Sequence, residues 1–143
     1  MTANPRPAAR VQLQLPTDPR FFRIATACVA QMVTLAAPAT LRQKLSNETQ
    51  LAVQELCANI ATHAYAGRDD ARFDLDLRLA DDVFHAEFRD RGALFHADTV
   101  QPPDLEHGQE HGYGLLLIRA LVDDVQYASD AGENHWHLVK RLR

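Results

Sequence analysis

Glu55, Asn59 and His63 are spaced four residues apart within the apolar segment 53–65. Steps of four share one face of a helix. A carboxylate, an amide and an imidazole would therefore form a stripe beside the apolar positions Val53, Leu56, Ile60 and Ala64. In that setting Glu55 can act as general base toward a hydroxyl or a water. The amide oxygen of Asn59 suits a hard ion such as Mg²⁺, which keeps several waters and needs few protein donors. His63 reads as a hydrogen-bonding residue near the helix end rather than a catalyst. The competing reading is a helix with a solvated polar flank.

Two later segments offer complementary chemistry. Asp90 follows an alternating run and precedes Arg91 and Gly92. A carboxylate at a strand end can accept a hydrogen bond from the exocyclic amine of a base, and Gly92 leaves room for a flat ring. An Asp that merely opens a turn is the alternative. Gly112 and Gly114 stand where a loop becomes a helix, so free N–H groups and the positive end of the helix dipole would face an anion such as phosphate. No Gly-Lys-Ser/Thr follows, which excludes a P-loop, and the six-residue dinucleotide fingerprint is absent too. His107 with His111, or His135 with His137, could contribute ligands to Zn²⁺, although a structural site wants four. His107 and His111 could instead contact phosphates when protonated.

These residues need a scaffold, and hydropathy supplies its outline. Residues 1–9 carry two prolines and read as a flexible tail, followed by one domain over 10–143. Val11, Leu13 and Leu15 alternate as a half-buried strand. Thr17 or Asp18 caps a helix start with Pro19 in its first turn, and Phe22, Ala25, Val29 and Met32 mark the helix to about Leu35. A second helix runs from about Leu41–Asn47 past Tyr65 to Gly67. Phe73 to Leu79 and Phe84 to Phe88 form a hairpin turning at Asp81 and Asp82. Residues 96–111 read as a long irregular loop of the kind that often binds or covers a ligand. A third helix opens at Gly112, and strands around 125–128 and 135–142 flank a turn at 130–133. The order βααββαββ predicts an α+β fold, a two-layer sandwich with helices on one face of a mixed, mostly antiparallel sheet.

The chain has 143 residues, 46% hydrophobic and 24% charged, enough for one soluble domain with its own core. A formal charge of −4 with no basic patch argues against a nucleic-acid partner. Cys28 and Cys57 fall in apolar helical stretches and read as reduced core thiols of a cytoplasmic protein. No apolar leader is visible, nor a run long enough to cross a bilayer.

Taken together, the ordered set resembles the Bergerat-type ATP-binding fold of gyrase, histidine kinases and MutL, the GHKL superfamily. More narrowly it is similar to the bacterial anti-sigma-factor serine/threonine protein kinases. They share Glu-x3-Asn-x3-His, Asp-x-Gly-x-x-Phe, Gly-x-Gly-Leu-x-Leu-Ile and a final strand closing in Lys-x-Leu, here Lys140 to Leu142. The resemblance implies ATP and Mg²⁺ as cofactors and two protein partners, a sigma factor and an anti-sigma-factor antagonist of the STAS-domain type. It also implies a homodimer, for which the first strand and helix with Phe21 or Phe22 could supply the surface. Carried across, Glu55 would be the base toward the antagonist's serine and Asn59 the Mg²⁺ ligand. Asp90, Gly92 and Phe95 would hold adenine. His111, Gly112, Tyr113, Gly114 and Leu115 would meet the phosphates, with His63 beside the nucleotide.

Two departures from the family pattern stand out. Some relatives carry an arginine before the second glycine motif, whereas Glu106 to His111 contains no Lys or Arg. Where the last strand often carries a threonine near adenine, this chain offers Asn134, His135 and His137. The alternative is therefore a nucleotide-binding module that sequesters its partner without phosphorylating it. The catalytic half of a split histidine kinase is a third reading.

Overall fold

A computed structural model describes residues 8–95 and 113–143, Tyr113 by its backbone alone. Strand alternation lays down the sheet. In β1 (Ala9–Pro16), β2 (Arg72–Ala80), β3 (Val83–Asp90), β4 (Asp124–Asp130) and β5 (Glu133–Arg141), successive side chains point to opposite faces. Leu15, Phe73, Leu75, Leu77, Leu79, Phe84, Ala86, Phe88, Trp136 and Leu138 are thereby buried on one face. That face is covered by α1 (Phe22–Ala36), α2 (Arg42–Asn59) and α3 (Tyr113–Leu121), giving the expected α+β sandwich. Phe22, Ala25, Val29, Met32 and Val33 form the inward stripe of α1. Leu45, Ala52, Val53, Leu56 and Cys57 form that of α2. Burying each large apolar side chain contributes about 1.5–3 kcal/mol.

The strands lie in the order β1-β2-β3-β5-β4, and all four pairings are antiparallel. A mixed sheet was expected, and the connections explain the difference. Two helices between β1 and β2 carry the chain out and back, so Pro16 pairs with Arg72. The single helix α3 makes β4 run in the same direction as β3, but β5 is inserted between them and is antiparallel to both.

The hairpins turn as expected. Asp81 and Asp82 both have positive φ (53° and 60°), as do Ala131 and Gly132 (50° and 80°), the geometry that matches two-residue loops to strand twist. Asp18 caps a short 3₁₀ turn at Pro19–Phe21, accepting from the Arg20 N–H at 3.0 Å. Thr17 is buried and does different work: its hydroxyl donates to Arg68 O (2.6 Å) and accepts from Ala71 N (3.2 Å). Cys57 is buried and Cys28 half-buried, both as free thiols. Among the described residues no helix is long and apolar enough to cross a membrane. The readings placed on the N-terminal tail and on the long loop fall outside the described residues.

Candidate functional site

The end of α2 sets the site's geometry. The helix stays α-helical through Asn59 and then widens into a π-helical turn, Ile60–Ala64, marked by the Tyr65 N–H bonding to Ile60 O at 3.2 Å. Glu55 and Asn59 therefore keep the one-turn spacing expected of them, both half-buried. His63 lies in the wider turn, is exposed, and leaves the α-helical phase that its spacing implied. Turns of this kind recur at functional sites because they redirect backbone groups. Here the redirected group is Ala64 O, which accepts from Ala93 N at 2.7 Å.

The segment after β3 is fastened to that turn. Arg91 N donates to the Tyr65 hydroxyl at 2.9 Å, and the hydroxyl donates to Arg72 O at 3.1 Å. Gly92 packs so closely that a Cβ there would overlap Ala64 O and lie 2.7 Å from Ala64 Cβ. The glycine thus serves a close backbone approach, a reason the sequence does not reveal. Asp90 ends up 3% exposed. Its Oδ1 accepts from Gly92 N (3.0 Å) and Asn134 Nδ2 (2.8 Å). Its Oδ2 is buried and, among the described residues, has no hydrogen-bond partner. Burial pushes the Asp90 carboxyl above its ordinary value; the two hydrogen bonds oppose that shift, and Glu133 adds to it. An ionised carboxylate with one orphaned oxygen is an acceptor waiting for a donor.

Asn134, buried opposite Asp90 in the β3–β5 register, is the hub of this end of the sheet. Its amide nitrogen also donates to Ala93 O at 3.0 Å. Its oxygen accepts from the Tyr127 hydroxyl and from Phe95 N at 3.3 Å, while Phe95 N also donates to the Tyr127 hydroxyl at 3.0 Å. The half-buried Phe95 ring lies 5.0 Å from Trp136 and 5.2 Å, edge-on, from Tyr127. Sequence reading noted Asn134 only as a departure and missed Tyr127 and Trp136. Their signal was register: Asn134 and Trp136 share the inward face of β5, and Tyr127 pairs with Trp136.

The glycine motif meets the polar helix directly. A Cβ on Gly114 would lie 2.8 Å from Asn59 Oδ1 and 3.0 Å from Asn59 Nδ2. The first turn of α3 therefore abuts the proposed ion ligand. Leu115 is half-buried against the core, and Ile118 is fully buried. The far end of α3 is held by the buried Lys140, whose ammonium donates to Glu48 of α2 (2.5 Å) and to Leu121 O, the last carbonyl of the helix. His111, Gly112 and the Tyr113 side chain lie outside the described residues. No cluster of three metal-ligating His, Cys, Asp or Glu side chains occurs among the described residues, so any ion held at Asn59 would take its other ligands from water or a bound molecule.

His135 and His137 share one face of β5 as alternation predicts, but they have different partners. His135 contacts Glu133 at 2.8 Å, whereas His137 meets His85 of β3 at 3.0 Å.

Comparison with known proteins agrees with this architecture. The family model of the histidine kinase-like ATPase domain matches residues 10–140. A serine-protein kinase RsbW of Bacillus mycoides (strain KBAB4) is 33% identical over 93 residues, covering 59% of this chain and 58% of the relative. The RsbW of Bacillus cereus (strain B4264) is 32% identical over the same coverage. The matched region thus spans little more than half the length of these relatives. The solved RsbU and RsbW domains of Rv1364c from Mycobacterium tuberculosis superpose with a TM-score of 0.66. At 20% identity, over 94% of this chain and 32% of that one, the likeness speaks to fold.

Proposed function

Because the chain belongs to the histidine kinase-like ATPase domain family, we propose that it is an ATP·Mg²⁺-dependent serine kinase and anti-sigma factor. In this reading it sequesters a sigma factor and phosphorylates a serine of a STAS-type antagonist in the cytoplasm. The observation that carries the nucleotide half is the orphaned Oδ2 of Asp90, buried and held beside Asn134. The exocyclic amine of adenine is the kind of donor it lacks. Similarity to the RsbW serine-protein kinases supports the kinase half.

When bound, ATP would supply the transferable phosphoryl group. The chain's own residues do the rest, chiefly by positioning. Asp90 accepts from the base, Gly92 keeps its loop against the π-turn, and Phe95 closes the adenine wall. Asn59 offers its amide oxygen to Mg²⁺. Gly114 keeps the start of α3 clear beside it, with His111, Gly112, Tyr113 and Leu115 completing the phosphate side and His63 flanking the nucleotide. Glu55, one turn before Asn59, takes the proton of the antagonist's serine hydroxyl. The protein acts as a homodimer, with the edge strand β1 and the exposed Phe21 at its surface; Phe22 is core.

Calorimetric titration of ATP with Mg²⁺ tests the reading. Wild type should bind saturably, and Asp90→Asn should bind about ten- to a hundredfold more weakly, the loss of one charge-assisted hydrogen bond. Equal affinity in the two proteins would remove Asp90 from the adenine site. Glu55→Gln should bind ATP as wild type does yet transfer no phosphate to the antagonist. The absence of Lys and Arg from Glu106 to His111 favours a second reading, sequestration without transfer. A wild type that binds ATP but leaves its antagonist unphosphorylated would select it.

A further inference from the structure

The helix-free face of the sheet carries a constellation that the nucleotide reading does not use. Alternation places Phe84, Ala86, Trp136 and Leu138 in the core, so His85 and His137 must project from the opposite face. They are diagonal neighbours, because Glu87 stands opposite His137 and Val139 opposite His85. Nδ1 of His85 and Nε2 of His137 lie 3.0 Å apart, with the rings stacked 5.2 Å between centroids at 28°.

At that distance one nitrogen must carry a hydrogen and the other a lone pair. Moving that hydrogen to the other nitrogen of its own ring, a change of tautomer with no change of charge, leaves two neutral imidazoles with converging lone pairs. Zinc–nitrogen bonds are about 2.0–2.1 Å long, so two of them meeting between a right angle and the tetrahedral angle separate their nitrogens by about 2.9–3.4 Å. The observed spacing already falls in that range. Both strands that hold the donors are interior to the sheet, each paired on two sides, which fixes the backbone. Burial first, then the nearby Arg78 and His137, hold the His85 imidazole below its ordinary pKa against the opposing pull of Glu87. Neutral imidazole is the ligating form.

We propose that His85 and His137 form a two-imidazole site for a nitrogen-preferring divalent transition-metal ion such as Zn²⁺, completed by water. Mg²⁺, which prefers oxygen, is not taken here, so this site is independent of the one at Asn59. Glu87 is the nearest carboxylate in register, but it is engaged by Arg78 at 2.9 Å. A bound ion would clasp β3 to β5, the two strands whose ends carry Asp90 and Asn134.

The test is a calorimetric titration of Zn²⁺ into the full chain near neutral pH, without nucleotide and with Mg²⁺ in excess. Wild type should bind one ion at this site. His85→Gln and His137→Gln should each weaken that binding by about tenfold or more. His135→Gln, altering a neighbour on the same face, should bind as wild type does. In wild type the ring resonances of His85 and His137 should shift together on titration, a readout that does not depend on the variants folding. Wild-type affinity in either variant of the pair, an equal loss in His135→Gln, or shifts confined to other histidines would overturn the proposal.

Discussion

Around Asp90 the protein supplies its own fixings, whereas around Asn59 the described contact is steric. The carboxylate is gripped by Gly92 and Asn134, and Asn134 in turn by Ala93, Phe95 and Tyr127. The Asn59 amide is half-buried and faces a glycine that leaves no space for a Cβ. The Asp90 end is thus arranged by the protein's own contacts, and it carries a buried carboxylate with an unused oxygen. The Asn59 end is defined by how closely two helix ends approach, and a rotatable side chain there can yield. Preorganisation favours affinity but burdens stability; a yielding contact does neither.

Three substitutions would break or sharpen that contrast. The largest effect is expected from Gly92→Ala. Its Cβ would collide with backbone atoms of Ala64, which cannot rotate away, so the π-turn or the Asp90 loop must shift. A stability loss of about 2–4 kcal/mol in urea titrations is expected, together with loss of nucleotide binding. A variant as stable as wild type would show that the two segments are less tightly apposed than described.

Gly114→Ala should behave differently. Its Cβ meets only the far end of the Asn59 side chain, and alanine favours a helix over glycine by up to about 1 kcal/mol. Stability should stay within about 0.5–1 kcal/mol of wild type, while affinity for ATP with Mg²⁺ falls about tenfold because Asn59 is displaced. Equal losses in stability and affinity would erase the distinction between the two ends.

The smallest effect concerns pH. Asp90 takes up a proton more readily folded than unfolded, because its folded pKa is raised. Its contribution is therefore fully present below the ordinary carboxylate pKa and is lost as pH rises through the raised folded value. Asp90→Asn removes that loss. At neutral pH the variant should be as stable as wild type or more so, by up to about 1 kcal/mol, even as it loses ATP. Urea midpoints compared between acid and neutral pH would check this. A variant less stable than wild type at neutral pH would mean that the bonds from Asn134 and Gly92 outweigh the cost of burying the charge.

Much of the molecule is legible in residue order. Period-two runs gave three inward strand faces, period-3.6 runs gave the stripes of α1 and α2, and Asp81–Asp82 and Ala131–Gly132 marked the tight turns. These are local properties: alternation and helical phase follow from backbone geometry whatever the rest of the chain does. The spacing of Glu55 and Asn59 was readable for the same reason. His63 was not, because the π-turn that displaces it is anchored by Ala93, thirty or so residues downstream.

What tertiary structure decided is everything that depends on strand order. Inserting β5 between β3 and β4 put Asn134 opposite Asp90 and left one carboxylate oxygen orphaned. The same insertion brought His137 to His85 rather than leaving it with His135. It also gave Gly92 its meaning, since only the folded chain brings Ala64 against it. The sequence by itself determined which side chains face inward and which chemistry they carry. Which of them meet was decided by long-range pairing, because burial selects a face of each strand but says nothing of its neighbour.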